Sequence, residues 1–268
     1  MRALGELWTG GEGNNEDGLL AIRLARAAGV VMGAELAGAG LDFSFTPVLD
    51  VDFGSSAVIG DRAFSRDPRT IGALAMALMQ GLDAAGVASV GKHFPGHGYA
   101  AADSHVAIPE DDRRMDEIDK EDLEPYRMLI PGGLAAVMPA HVIYRQADSR
   151  PAGFSPFWLK DVLRRRLGFD GLIFSDDLTM EGAGVAGNMV ARARAAFEAG
   201  CDMVLVCNAP EAARRLVTEL AEEGTAPALS TTRAERMRAR HVTGVAGTDK
   251  EYRMALQALE SRFPLQYG

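Results

Sequence analysis

A chain of 268 residues with 47% hydrophobic composition and a mean hydropathy near zero can bury the core of one large domain, and no linker, repeat or low-complexity stretch divides it. A formal charge of -9 without a Lys/Arg run argues against nucleic acid or an anionic membrane as partner and leaves a small molecule. The two cysteines, Cys201 and Cys207, flank the apolar run DMVLV as reduced thiols would, no stretch has the length of a membrane span, and MRALGELWTGGEGNNEDG lacks a charged-then-apolar leader, so a cytoplasmic protein is expected.

In chain order, short apolar runs alternate with segments of helical period, the pattern of a parallel sheet covered by helices. A first helix is expected over 15–39, with Leu20, Leu24, Ala27 and Val31 on one face, followed by a strand over 43–49. Asp67-Pro68 opens a second helix that Gly86 closes before a strand at 87–93. A strand at 135–140 precedes a helix opened by Ser155-Pro156 and closed by Gly168. Strands at 172–175 and 203–207 are separated by a helix at 191–199 and followed by another at 210–223. The tail, with TTRAERMRAR and KEYRMALQALESR, reads as helical.

Asp50, Lys92-His93, His141, Asp176-Asp177 and Asn208 each fall at or just past the C-terminal end of a different predicted strand. In (β/α) barrels the βα loops converge on that face, and active sites are built there. Strand ends are also simply where polar residues begin, so the argument rests on the set rather than on any one position.

KHFPGHGYAAADSH concentrates three of the five histidines. His93 and His97 are four apart, which would pair two imidazoles on a helix, but Pro95 and Gly96 between them forbid one. A metal held by the loop, with Asp176 or His141 as further ligands, stays open as an alternative. Asp103 and His105 are spaced so that the carboxylate can orient the imidazole for proton transfer, although those residues alone better describe an Asp-Ser turn with an exposed histidine. In GLIFSDDLTMEGA a buried strand ends on two carboxylates, which is costly unless each has a partner or a task. Alternation sends Asp176 and Asp177 to opposite faces without saying which meets the site, and Asp177 is also a candidate cap for the next turn. Asp50 reads as an N-cap or loop brace, and His97 and His141 as structural residues of the loop and rim, with contact to substrate as their second reading.

KHFPGHG, ADSH, AAVMPAHVIY, GFDGLIFSDDLTMEGA and GCDMVLVCN, in this order, resemble the family 3 glycoside hydrolases, in particular the bacterial β-N-acetylglucosaminidases of peptidoglycan recycling. The resemblance implies an α/β fold of the TIM (β/α)8 barrel type and a retaining exo-glycosidase that removes terminal β-linked N-acetylglucosamine. It implies Asp176 as nucleophile, Asp103 with His105 as the acid/base pair, and Lys92, His93 and Arg62 of IGDRAF as sugar-binding residues, with no cofactor and no metal. A histidine as acid/base would not repel an anionic acceptor, which raises phosphate as an alternative to water.

Only five of the eight barrel strands are identifiable. The family's opening three βα units, the third ending in an Asp followed by Gly-Gly-Arg, have no match, since WTGGEGNN lacks both the aspartate and the arginine. The reading is therefore of an N-terminally incomplete catalytic domain whose open edge beside strand 43–49 needs cover, by a longer true chain or by a homodimer. A non-catalytic or impaired remnant of the fold, without the sugar-binding strands of the opening units, and a metal-dependent hydrolase on the same barrel are the alternative functions.

Overall fold

The computed structural model describes residues 1–9, 15–100, 108–222, 228–240 and 250–263. Five parallel strands form one sheet in the order β1 (Phe43–Ser44), β2 (Ala88–Phe94), β4 (Ala136–Pro139), β6 (Leu172–Asp177) and β7 (Met203–Leu205). A separate parallel pair joins β3 (Glu110–Asp111) to β5 (Ile143–Tyr144). The result is an α/β fold with a five-stranded parallel half-barrel.

Parallel neighbours require crossovers, and helices supply them. α1 (Arg2–Thr9) and α2 (Asn15–Gly38) precede the sheet, and α3 (Pro68–Ala84) links β1 to β2. Between β2 and β4 run α4 (Met115–Lys120) and α5 (Glu124–Leu129), and a π-helical segment, Phe157–Arg166, leads into β6. α6 (Met189–Ala199) joins β6 to β7, and α7 (Pro210–Glu222), α8 (Ala228–Glu235) and α9 (Lys250–Arg262) follow. The predicted caps hold. The Asp67 carboxylate accepts the N–H groups of Arg69 and Thr70 ahead of Pro68, the Ser155 hydroxyl accepts the Trp158 N–H at 3.2 Å, and Gly86 and Gly168 adopt φ of 78° and 70°.

The predicted strand at 43–49 is the one that changes most. Regular pairing covers Phe43–Ser44, and Pro47, with no N–H to donate, interrupts the ladder. Hydrogen bonds to β2 continue nonetheless, from Val90 N–H to the Thr46 carbonyl and from Lys92 N–H to the Pro47 carbonyl. They carry the chain in register to Leu49, whose N–H reaches the Lys92 carbonyl at 2.6 Å, and so to Asp50.

Side chains alternate across the sheet, as strand geometry requires. Val137 and Ile173 face the helices, in a core with Leu74, Leu78, Leu82, Tyr126 and Trp158. Val90, Ala136, Met138, Leu172 and Phe174 face inward, with Phe43 and Phe45 packed on them. The Phe43 and Phe45 rings lie 5.2 and 5.3 Å from Phe174, and Met237, just past α8, closes the inner cluster from the N-terminal end of the strands. Burial of each such side chain contributes about 1.5–3 kcal/mol. Among the described residues, β1 and β7 are each paired on one side.

Candidate active site

The C-terminal ends of β2, β4 and β6 open onto a cavity of about 240 Å³ lined by Arg62, Lys92, His93, Asp176 and Asp177, with Phe45, Met180 and Cys207 among its walls. A larger hollow of about 550 Å³ lies at the opposite ends of β2 and β4 beside Arg236, Arg238 and Arg240, and none of the candidate residues lines it. Those five candidate residues therefore gather at the smaller cavity.

Arg62 closes a short 3-10 turn, Gly60–Arg62, and its Nε and Nη2 donate to the Val58 carbonyl at 3.0 and 2.7 Å, which fixes the guanidinium at the cavity wall. Lys92 is half-buried on β2 with Nζ 5.8 Å from the Phe45 ring centroid. Burial lowers its basicity, Asp176 and Asp50 pull it back up, and Arg62 pushes it down again.

Asp50 is more than a loop brace. Its carboxylate is fully buried, accepts the His93 and His97 backbone N–H groups at 3.3 and 2.6 Å, and holds His93 Nδ1 at 2.7 Å. Burial alone would raise its pKa, but the imidazole and the donated N–H groups win and hold it below the ordinary carboxylate value. His97 packs edge-on to His93 at 5.9 Å and is held below its usual basicity by burial and by that neighbour.

The glycines of KHFPGHG are required by close approach. A Cβ on Gly96 would collide with the Asp122 carboxylate and one on Gly98 with the Val51 carbonyl oxygen, while the Tyr144 hydroxyl donates to the Gly96 carbonyl at 2.8 Å. Beneath this loop Arg113 pairs with Asp111 at 2.6 Å and with Asp122 at 2.9 Å, and stacks between Phe53 and Tyr99.

The two aspartates of β6 separate in role. Asp177 accepts the Thr179 N–H at 2.9 Å, the Thr179 hydroxyl at 2.6 Å and the Cys207 N–H at 3.0 Å, so it caps the turn and ties β6 to the end of β7. Asp176 accepts the Asp177 N–H at 2.8 Å and keeps carboxylate capacity for the cavity.

Arg62, Lys92, His93 and Asp176 are thus brought together, whereas Asp103 and His105 lie outside the described residues. His141 is fully buried and stacked on Phe154 at 5.2 Å, with burial lowering its basicity, so it belongs to the packing rather than to the cavity. Asn208 is exposed at a φ of 55° and serves the turn into α7. Among the described residues no group of three or more His, Cys, Asp or Glu is arranged to hold a metal. Phe45, Met180 and Cys207 escaped sequence reasoning as walls; the inward alternation of Phe43 and Phe45 was the available signal.

Residues 8–243 match the glycosyl hydrolase family 3 N terminal domain. The chain belongs to glycosyl hydrolase family 3. Over 240 residues this family 3 chain is 57% identical to a beta-hexosaminidase of Aromatoleum aromaticum, covering 90% of this chain and 65% of that protein. It is 57% identical to a beta-hexosaminidase of Nitrosospira multiformis over 240 residues, 90% of this chain and 66% of the relative. The crystal structure of NagZ from Neisseria gonorrhoeae in complex with N-trifluoroacetyl-D-glucosamine superimposes with a TM-score of 0.86 at 44% identity, covering 97% of this chain and 74% of that one. This family 3 chain therefore spans just under two thirds of the length of the curated relatives it matches.

Proposed function

We propose that this chain carries the glycoside-cleaving site of a retaining exo-β-N-acetylglucosaminidase, acting on terminal β-linked N-acetylglucosamine of peptidoglycan fragments. The observation that carries the reading is the free-facing Asp176 carboxylate sharing one cavity with Lys92, His93 and Arg62, in a family whose relatives above are named beta-hexosaminidase. The N-acyl glucosamine in the gonococcal complex agrees with the sugar class.

In this reading Asp176 attacks the anomeric carbon while His105, oriented by Asp103, protonates the leaving oxygen. His105 then removes a proton from the water that hydrolyses the glycosyl ester. Lys92, His93 and Arg62 hold hydroxyl and acetamido groups by directed hydrogen bonds. Phosphate in place of water is the variant worth testing, because a neutral base does not repel it.

The five strands fit a part of a TIM (β/α)8 barrel, and the one-sided edges at β1 and β7 are where further strands, or a second copy in a homodimer, would pair. No helix among the described residues is long and apolar enough to cross a membrane.

The test is release of nitrophenol from a nitrophenyl N-acetylglucosaminide by the chain as it stands, with and without phosphate and chelator. Turnover that survives chelator and is lost in Asp176→Asn supports the reading. Undiminished turnover in that variant removes Asp176 as nucleophile, and turnover lost to chelator favours a metal-dependent hydrolase.

A further inference from the structure

We infer that Asp50 is a positioning residue that fixes the tautomer of His93, so that this imidazole meets the sugar through Nε2 with its proton held on Nδ1. The inference rests on the glycosidase reading for its functional consequence but on geometry for the tautomer itself.

Three donors converge on the Asp50 carboxylate, and they are not equivalent. Oδ1 takes the His97 N–H at 2.6 Å, and the His93 N–H lies 3.3 Å from both oxygens; these are backbone groups whose protons cannot move. Oδ2 faces His93 Nδ1 at 2.7 Å. An ionised carboxylate only accepts, so the short contact requires a proton on Nδ1 whether the ring is neutral or cationic. Asp50 is 1% exposed and its pKa is lowered by the His93 imidazole and by the His97 backbone N–H, which keeps it in the accepting form. With Nδ1 engaged, Nε2 is the nitrogen His93 has left for a ligand, and His93 lines the cavity beside Lys92 and Asp176.

The same geometry defines the test. In Asp50→Asn, one carboxamide position must accept and the other must donate. The short His97 N–H contact demands the carbonyl at the Oδ1 site, where the shared His93 N–H can also reach it, which puts the NH2 at the Oδ2 site, against His93 Nδ1. The ring must then accept at Nδ1 and carry its proton on Nε2, reversing the hydrogen-bond sense that the neutral wild-type ring offers the sugar. The logic parallels the Asp-to-Asn change in a catalytic triad, where the wrong tautomer survives in an intact fold.

The experiment is histidine 15N NMR on the whole chain, with His93→Gln used to assign the resonance, together with glucosaminide kinetics. Expected for the wild type is a proton on Nδ1. Expected for Asp50→Asn is a proton on Nε2 and kcat/KM lowered about 10- to 100-fold, the scale of one hydrogen bond to a charged or oriented partner. A wild-type His93 protonated on Nε2 and bare on Nδ1 overturns the assignment, as does an Asp50→Asn protein with wild-type tautomer and turnover. Should Asp50→Asn fail to fold, the wild-type spectrum decides alone. Should the wild type cleave no glucosaminide, the functional reading falls while the tautomer measurement still decides the Asp50–His93 assignment.

Discussion

Asp176 and Asp177 are neighbours on β6 whose carboxylates answer to different partners: Asp177 binds Thr179 and the Cys207 N–H, and Asp176 turns to the cavity that Lys92 lines. The pair therefore separates activity from stability. Asp176→Asn is expected to abolish glucosaminide turnover with little change in urea unfolding. Asp177→Ala leaves two N–H donors without their acceptor and is expected to cost about 1–3 kcal/mol in the same measurement.

Lys92 is a half-buried cation whose pKa is lowered chiefly by burial. A lowered folded pKa means that the unfolded chain binds the proton more tightly, so this group's contribution to stability rises with pH up to the unfolded value. Lys92→Met removes the strained charge. Expected are unchanged or slightly higher stability, by up to about 1 kcal/mol, and a loss of at least about tenfold in kcat/KM, the usual exchange at a functional site.

Asp122 lies under Gly96 with its pKa raised to about 7, burial outweighing the Arg113 cation. Its folded pKa exceeds the unfolded value, so its contribution is present at acid pH and is lost as pH rises through about 7. Unfolding free energies measured from pH 4 to 8 are expected to fall with pH more steeply in the wild type than in Asp122→Asn. Parallel profiles would contradict the buried-acid assignment.

The close approach of Gly98 to Val51 predicts that Gly98→Ala displaces the loop that begins at His93. A Cβ there meets a backbone carbonyl, which has no rotamer to yield, and overpacking of this kind costs about 1–3 kcal/mol. Thermal unfolding and kcat/KM should fall together, because the same loop supports His93.

Much of this candidate site was legible because its residues lie at strand ends. The apolar runs ending in Lys92-His93 and Asp176-Asp177 announced both the parallel sheet and the face on which the candidate residues gather. The role of Asp50 was hidden because its partners His93 and His97 are more than forty residues away, and only the register of the Val48–Leu49 segment against β2 brings them together. The β3–β5 pair was hidden because two-residue strands carry no periodicity. The division of labour between Asp176 and Asp177 depended on Thr179 and Cys207, and alternation alone could not supply it.

The central claim is that Asp176 attacks the sugar, and trapping reports it most directly. The chain would be treated with a fluorinated N-acetylglucosaminyl donor that slows deglycosylation, then digested and read by mass spectrometry. The account predicts one added sugar on the peptide containing Asp176, absent from Asp176→Asn. A label on another residue, or turnover of substrate with no label on Asp176, would contradict it.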